Sequence, residues 1–174
     1  WLSDEEIRQG QRLLEQLPDK AGTPPIALHP YATHPDKAWK EAYWRQLMEL
    51  FESCGIPWIV IGRGSGMEGI PASRNFTNRT SLRETCALLK SSSLLITGDS
   101  GPMHLAGAVG TPVLALFGPT TEEWGFFPAG PKDRVLESQL DCRPCTLHGK
   151  KHCDRNHACM QSITPEQVMR ALDE

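Results

Sequence analysis

The chain has 174 residues, of which 39% are apolar and 22% charged, and its net charge is −3. This length suits one domain with a sizeable core, and the weak negative charge gives no general reason to expect nucleic acid. No apolar run approaches the roughly 20 residues of a membrane span, and the N-terminus lacks the apolar core of a signal peptide. Because the chain begins at Trp1 rather than Met, we expect a piece of a longer protein.

A leading helix is predicted at the N-terminus. It opens at the capping box Ser3-Asp4-Glu5-Glu6, in which Ser and Glu side chains accept hydrogen bonds from each other's backbone N–H groups. A linker rich in Gly and Pro follows it. We therefore divide the chain into a leading helix with linker, residues 1–22, and one larger domain, residues 23–174.

Strand and helix patterns alternate after the linker. Strands are predicted from Ile26 and Trp58, at Leu94–Ile96, Val113–Phe117 and Arg134–Leu136, with a short one at Asn75–Phe76. Helices are predicted over 40–53 and 81–90, from Pro102 to Gly110, and from a capping box at Thr164. This alternation predicts an α/β fold with a mostly parallel sheet covered by helices on both faces.

The segment from Ser93 to Thr120 predicts a strand, an anion-binding turn, a helix and a second strand. Asp99 or Ser100 can cap the helix, and free N–H groups at such a helix start favour a phosphate. His104 lies in the first helical turn, where the dipole disfavours a cation, so a neutral imidazole can donate to a phosphate oxygen. The alternative is an ordinary capped helix.

Ligands of parallel α/β sheets bind beyond the carboxyl ends of the strands. That rule places three turns at one edge of the sheet: His29 to Lys37, Gly62 to Gly69, and Gly98 to His104. In the first turn, the Thr33 hydroxyl and the Lys37 ammonium both suit diphosphate oxygens. The alternative for Lys37 is an exposed side chain on a solvated loop.

The second turn contains the pattern G-x-G-x-x-G from Gly64 to Gly69. This pattern binds dinucleotides when it opens a helix and an acidic residue ends a strand about twenty residues later. Here Pro71 follows at once, no amphipathic helix begins, and Glu84 lies in a helix start. We interpret the turn as a flexible loop near the ligand rather than an NAD site.

Four segments together resemble glycosyltransferase family 9, the bacterial ADP-heptose:lipopolysaccharide heptosyltransferases and their relatives. They are D-S-G-P-M-H-L-A at 99–106, G-T-P-V-L-A-L-F-G-P-T at 110–120, residues 26–44 with the K-x-W sequence, and Cys159-Met160 with Ile163 and Val168. The resemblance covers the chain from about Ile26 onward.

The resemblance implies a GT-B glycosyltransferase, in which two Rossmann-like domains face each other across a cleft. This chain matches the C-terminal, nucleotide-sugar-binding half, so the N-terminal acceptor domain and its general base are absent, and we expect the isolated chain to be inactive. The implied reaction is inverting and metal-independent, with an ADP-sugar as substrate and no cofactor. The implied acceptor is lipopolysaccharide core, bound through the missing domain, and the implied location is the cytoplasm, at the inner face of the inner membrane.

The resemblance also implies the site residues. Thr33 and Lys37 are expected to contact the phosphates, while Asp99, Ser100, Gly101 and His104 line the phosphate and sugar side. Trp39 is expected to pack rather than bind. Many family members carry a Glu after the second strand, facing the nucleoside, but here the sequence is Gly62-Arg63-Gly64, and Glu68 is a weak candidate for that role.

Four cysteines, Cys142, Cys145, Cys153 and Cys159, cluster near His148, His152 and His157. They can hold a structural zinc or remain as free or redox-paired thiols, although their spacing matches no common zinc module. The resemblance implies no metal. Cys54 and Cys86 are predicted to be buried in helices.

Two other functions compete with the heptosyltransferase interpretation. The chain could belong to a different two-domain nucleotide-sugar enzyme, such as a UDP-sugar epimerase, for which uracil rather than adenine is expected. It could also be an interaction module stapled through the loop from Cys142 to Cys159. The sequence leaves the sugar, the acceptor and the oligomeric state open.

Overall fold

The computed structural model describes residues 2–18, 22–147 and 153–173. Five parallel strands form one sheet in the order β2-β1-β3-β4-β5. The strands are β1 (Ile26–His29), β2 (Trp58–Val60), β3 (Leu94–Gly98), β4 (Val113–Phe117) and β5 (Arg134–Glu137). The helices are α1 (Asp4–Leu14), α2 (Glu41–Cys54), α3 (Leu82–Lys90), α4 (Gly101–Val109), α5 (Ala158–Gln161) and α6 (Pro165–Leu172), with 3-10 turns at Pro35–Lys37 and Glu122–Trp124.

Helices cover both faces of the sheet, which confirms the predicted three-layer α/β fold. Alternate strand residues point to opposite faces, so Ile26 and Leu28 of β1 pack with α2 and α6, whereas Ala27 packs with α3 and α4. Helix α1 lies on α3, and its Leu13 and Leu14 reach the second of these cores. Both halves of the core are therefore anchored on the same five strands.

The helix starts follow the predicted capping chemistry in three cases. The side chains of Ser3, Ser81 and Thr164 each accept a hydrogen bond from the backbone N–H three residues later. The Glu or Gln side chain at that later position accepts one from the backbone N–H of the Ser or Thr. Two smaller predictions were wrong. Asn75–Phe76 contributes a single bridge, Asn75 to Val60, rather than a strand, and Cys54 is exposed because α2 ends there.

The strand order places a topological switch point between β1 and β3. From β1 the chain moves outward to β2, and it then returns to β3 on the opposite side of β1. The connections leaving β1 and β3 therefore diverge and open a crevice at the carboxyl ends of these strands, which is where α/β proteins bind ligands. Among the helices of the described segments, none is long and apolar enough to cross a membrane.

Candidate nucleotide-binding crevice

A cavity of about 530 Å³ occupies the switch point. The three predicted turns meet here, because the lining residues come from the ends of β1 and β2, from the start of α3 and from the start of α4. They are His29, Tyr31, Ala32, Thr33, Gly62, Arg63, Thr80, Leu82, Thr85, Ser100, Gly101, Pro102 and Leu105. Within the part of the chain that the structure describes, no acidic side chain lines this cavity, and Arg63 is its lining cation.

Two of the lining residues, His29 and Ser100, form a polar cluster with the buried Thr97. His29 Nδ1 lies 3.1 Å from Thr97 Oγ1 and 3.3 Å from Ser100 Oγ, and the two hydroxyl oxygens are 2.9 Å apart. Burial of the imidazole lowers the pKa of His29 to about 4, so the ring is neutral at physiological pH. The cluster therefore adds polar groups but no net charge to the site.

This cluster changes the predicted role of Ser100. Ser100 occupies the N-cap position of α4, but its side chain makes no capping hydrogen bond, because the hydroxyl is turned toward His29 and Thr97. Asp99 does not cap the helix either, since its carboxylate faces Lys37 and Thr120. The amino end of α4 therefore opens onto the cavity without a side-chain acceptor, which favours an anionic ligand there.

Lys37 and Asp99 form a largely buried ion pair that joins the first and third predicted turns. Lys37 Nζ lies 2.5 Å from Asp99 Oδ2, and the side chains are 15% and 10% exposed. The buried hydroxyl of Thr120 donates to the same carboxylate oxygen at 3.1 Å. Lys37 is therefore not an exposed side chain on a solvated loop, which was the alternative interpretation. Asp99, from the third turn, holds it in place.

The other predicted site residues lie at different depths. Thr33 and Gly101 are exposed and line the cavity. His104 is exposed on the first turn of α4 and is not among the lining residues described. Glu68 accepts from the Gly66 N–H at 3.2 Å and also lies outside that lining. Three of the six predicted residues, Thr33, Ser100 and Gly101, therefore line the cavity. Lys37 and Asp99 pair with each other in the turns that supply these residues, and His104 lies one turn further along α4.

Tyr31 is a cavity residue that sequence reasoning missed. Its ring lies edge-on to His29 at 5.7 Å, and its hydroxyl is 2.7 Å from Thr77 Oγ1. A side chain at Gly62 would overlap the His29 ring, and one at Gly64 would overlap the Tyr31 ring. Gly62 and Gly64 are therefore needed for close packing against these rings, which is a reason for glycine in the second turn other than dinucleotide binding.

Comparison with known proteins settles the family. The model of glycosyltransferase family 9 (heptosyltransferase) matches residues 3–154. The chain belongs to glycosyltransferase family 9. It is similar to lipopolysaccharide heptosyltransferase 1 of Pseudomonas aeruginosa, with 35% identity over 150 residues that cover 80% of this chain and 40% of that protein.

Two solved structures show the same fold. A family 9 glycosyltransferase from Veillonella parvula superposes with a TM-score of 0.73 at 22% identity, over 99% of this chain and 52% of that chain. The E. coli heptosyltransferase WaaC with ADP-2-deoxy-2-fluoro heptose gives a TM-score of 0.65 at 21% identity, over 94% of this chain and 47% of that chain. The family 9 chain thus spans less than half of the curated relatives it matches and about half of these two solved chains.

A second cavity, of about 260 Å³, is a thiol-lined feature of this family 9 chain. It is bordered by Asp36, Pro119, Cys142, Pro144, Cys145, Thr146, Cys153, Asp154, Arg155, His157 and Cys159. Burial raises the pKa of the Cys159 thiol. Outside residues 1, 19–21, 148–152 and 174, no group of three or more Cys, His, Asp or Glu is arranged to hold a metal ion. The predicted neighbours His148 and His152 lie outside the described residues.

Proposed function

We propose that this chain is the donor-binding domain of a bacterial heptosyltransferase-like enzyme, and that the crevice binds the diphosphate and nucleoside of an ADP-sugar. The observation that carries the proposal is the amino end of α4, which opens onto the crevice because the Ser100 hydroxyl is engaged elsewhere. Family membership and the E. coli WaaC structure with an ADP-heptose analogue support the choice of donor. The sugar is a heptose or a related sugar.

The diphosphate would occupy the region between Thr33, Lys37 and the start of α4. Glycosyl transfer breaks the bond between the anomeric carbon and the diphosphate oxygen, so negative charge develops on the departing diphosphate. The Lys37 ammonium and the free N–H groups of α4 are placed before the reaction and can stabilise that charge without a metal. Asp99 holds the ammonium in position, and we place its carboxylate, with His104, on the sugar side.

The nucleoside would lie in the wider part of the cavity. Leu82, which is 66% exposed, and Leu105 offer apolar surface to a base, and Tyr31 and Thr80 offer hydroxyl groups. Because no acid lines this region of the described chain, ribose recognition here would depend on hydroxyls, backbone groups and Arg63 rather than on a carboxylate.

The remaining components of the reaction would come from outside this chain. We propose a single displacement that inverts the anomeric carbon, with the lipopolysaccharide acceptor and the general base supplied by an N-terminal domain. The enzyme would need no resident cofactor and would act in the cytoplasm at the inner face of the inner membrane. By this proposal the isolated chain binds donor but transfers no sugar.

Calorimetric titration of the chain with ADP, UDP and ADP-heptose tests the proposal. We expect ADP and ADP-heptose to bind and UDP to bind at least about tenfold more weakly, a difference of 1.4 kcal/mol. A preference for UDP would favour a UDP-sugar enzyme such as an epimerase. Binding of none of the three, or sugar transfer by the isolated chain, would contradict the proposal as stated.

A further inference from the structure

One side chain from the C-terminal part of the chain holds the turn that carries Lys37. His157 Nε2 lies 2.6 Å from Asp36 Oδ1, across 121 residues of sequence. Asp36 is the central residue of the 3-10 turn Pro35–Lys37, and its carboxylate is only 14% exposed. The turn itself is closed by just two backbone bonds, from Lys37 and Ala38 to His34 and Pro35. Such a short turn depends on outside contacts for its position.

The same region also holds Asp99, the partner of Lys37. Arg143, whose side chain is 4% exposed, donates to the Thr120 carbonyl at 2.9 Å and pairs with Glu137 at 2.6 Å. The Cys145 N–H donates to Pro119 at 3.1 Å. These bonds fix the segment after β4, from which the Thr120 hydroxyl reaches Asp99.

We call residues 142–147 and 153–159 the cysteine loop. It contacts the turn that carries Lys37 on one side and, on the other, the segment whose Thr120 bonds Asp99. We propose that His157 is a positioning residue for donor binding, which acts through Asp36 to hold the Lys37 turn against Asp99. The role in donor binding rests on the proposed function, whereas the effect on the turn does not. This assigns the cysteine loop of this chain a role that requires neither a metal nor a disulfide.

The contact can be removed without disturbing the core. His157 is 35% exposed at its side chain and has a φ of 55°, a left-handed conformation that Asn tolerates well. His157→Asn therefore keeps the backbone preference but is too short to reach Asp36. His157→Gln has a longer side chain with an amide donor and serves as the conservative rescue. Arg155→Ala is the matched control, because Arg155 lines the same cavity and carries charge but has no described side-chain bond to Asp36.

Hydrogen–deuterium exchange of the ligand-free chain gives the first test. In His157→Asn we expect faster exchange at the amides of Lys37 and Ala38, by roughly fivefold or more, because their turn loses its outside support. Amides of β4 and α6 are expected to exchange as in the wild type, and the Gln variant to restore slow exchange in part. Unchanged exchange at the turn would overturn the proposal, and so would a general increase over the whole chain.

A double-mutant cycle on ADP affinity gives the second test. We expect His157→Asn to weaken ADP binding roughly fivefold in the wild-type background but less than about twofold in a Lys37→Ala background, because the effect passes through Lys37. Arg155→Ala is expected to leave the affinity within about twofold of the wild type. An equal loss in both backgrounds, or the same loss from Arg155→Ala, would overturn the proposal. If the wild type fails to bind ADP, the proposed function falls and the exchange experiment alone decides the role of His157.

Discussion

Gly10 of α1 lies directly against the backbone of Ala87 in α3. A Cβ atom at position 10 would lie 2.7 Å from both the carbonyl carbon and the carbonyl oxygen of Ala87, closer than real Cβ atoms approach. This close contact allows α1 to pack directly against α3, one of the helices that cover the sheet. The neighbouring ion pair between Glu6 and Arg83 joins the same two helices at the surface.

Gly10→Ala is therefore expected to destabilise the chain by about 1–3 kcal/mol, because the helices must separate to admit the methyl group. Gly107→Ala in α4 is the matched control. A Cβ atom there meets nothing within 4 Å, so the substitution should stabilise the chain by about 0.5–1 kcal/mol through the lost flexibility of glycine. Urea denaturation of both variants measures the difference, and a Gly10→Ala variant as stable as Gly107→Ala would contradict the packing.

The free energy of unfolding should decrease as the pH is lowered through a window set by His29. Unfolded, its imidazole titrates near 6.5, but in the folded chain burial lowers the pKa to about 4. Between these values the unfolded state binds more protons, so lowering the pH from 6.5 to 4 costs up to about 3 kcal/mol of folding free energy. In His29→Gln, the free energy of unfolding should depend less steeply on pH across this window. Parallel curves for the two proteins would show that His29 is not the group responsible.

Trp39 and Trp44 form a matched pair in one core, with ring centroids 4.9 Å apart. Trp39 Nε1 donates to the Ile163 carbonyl at 2.8 Å, whereas the buried Nε1 of Trp44 has no partner among the described residues. We expect Trp39→Phe to cost about 1–3 kcal/mol more than Trp44→Phe, because only the former leaves a buried carbonyl unsatisfied. Thermal unfolding of the two variants checks this, and equal losses would argue against the hydrogen bond.

The local patterns of the sequence were sufficient to predict the layers of the fold. Three capping boxes marked helix starts, and the apolar run at Val113–Phe117 coincides with β4. The rule for parallel sheets then brought the three turns to one crevice. These predictions succeeded because they depend on neighbours within a few residues or on the connectivity of the chain.

Contacts between distant segments could not be predicted in the same way. Ser100 has the residue type of a helix cap, but its hydroxyl is hydrogen-bonded to His29, 71 residues away, instead of to the helix. The Asp36–His157 contact spans 121 residues, and no local pattern indicates it. The predicted strand at Asn75–Phe76 was wrong for a related reason, since two residues, of which only Phe76 is apolar, cannot show how much of a neighbouring strand they will pair with.

The most direct test of the central claim is the affinity for ADP of the wild type, Lys37→Ala and Lys132→Ala. Lys132 is the control because it is an exposed lysine just before β5, at the amino ends of the strands and so on the opposite edge of the sheet. We expect Lys37→Ala to lose about 1–3 kcal/mol of binding free energy, as a charge-assisted diphosphate contact predicts, and Lys132→Ala to bind as the wild type does. Equal ADP affinity in all three proteins would contradict a donor site between Lys37 and the start of α4.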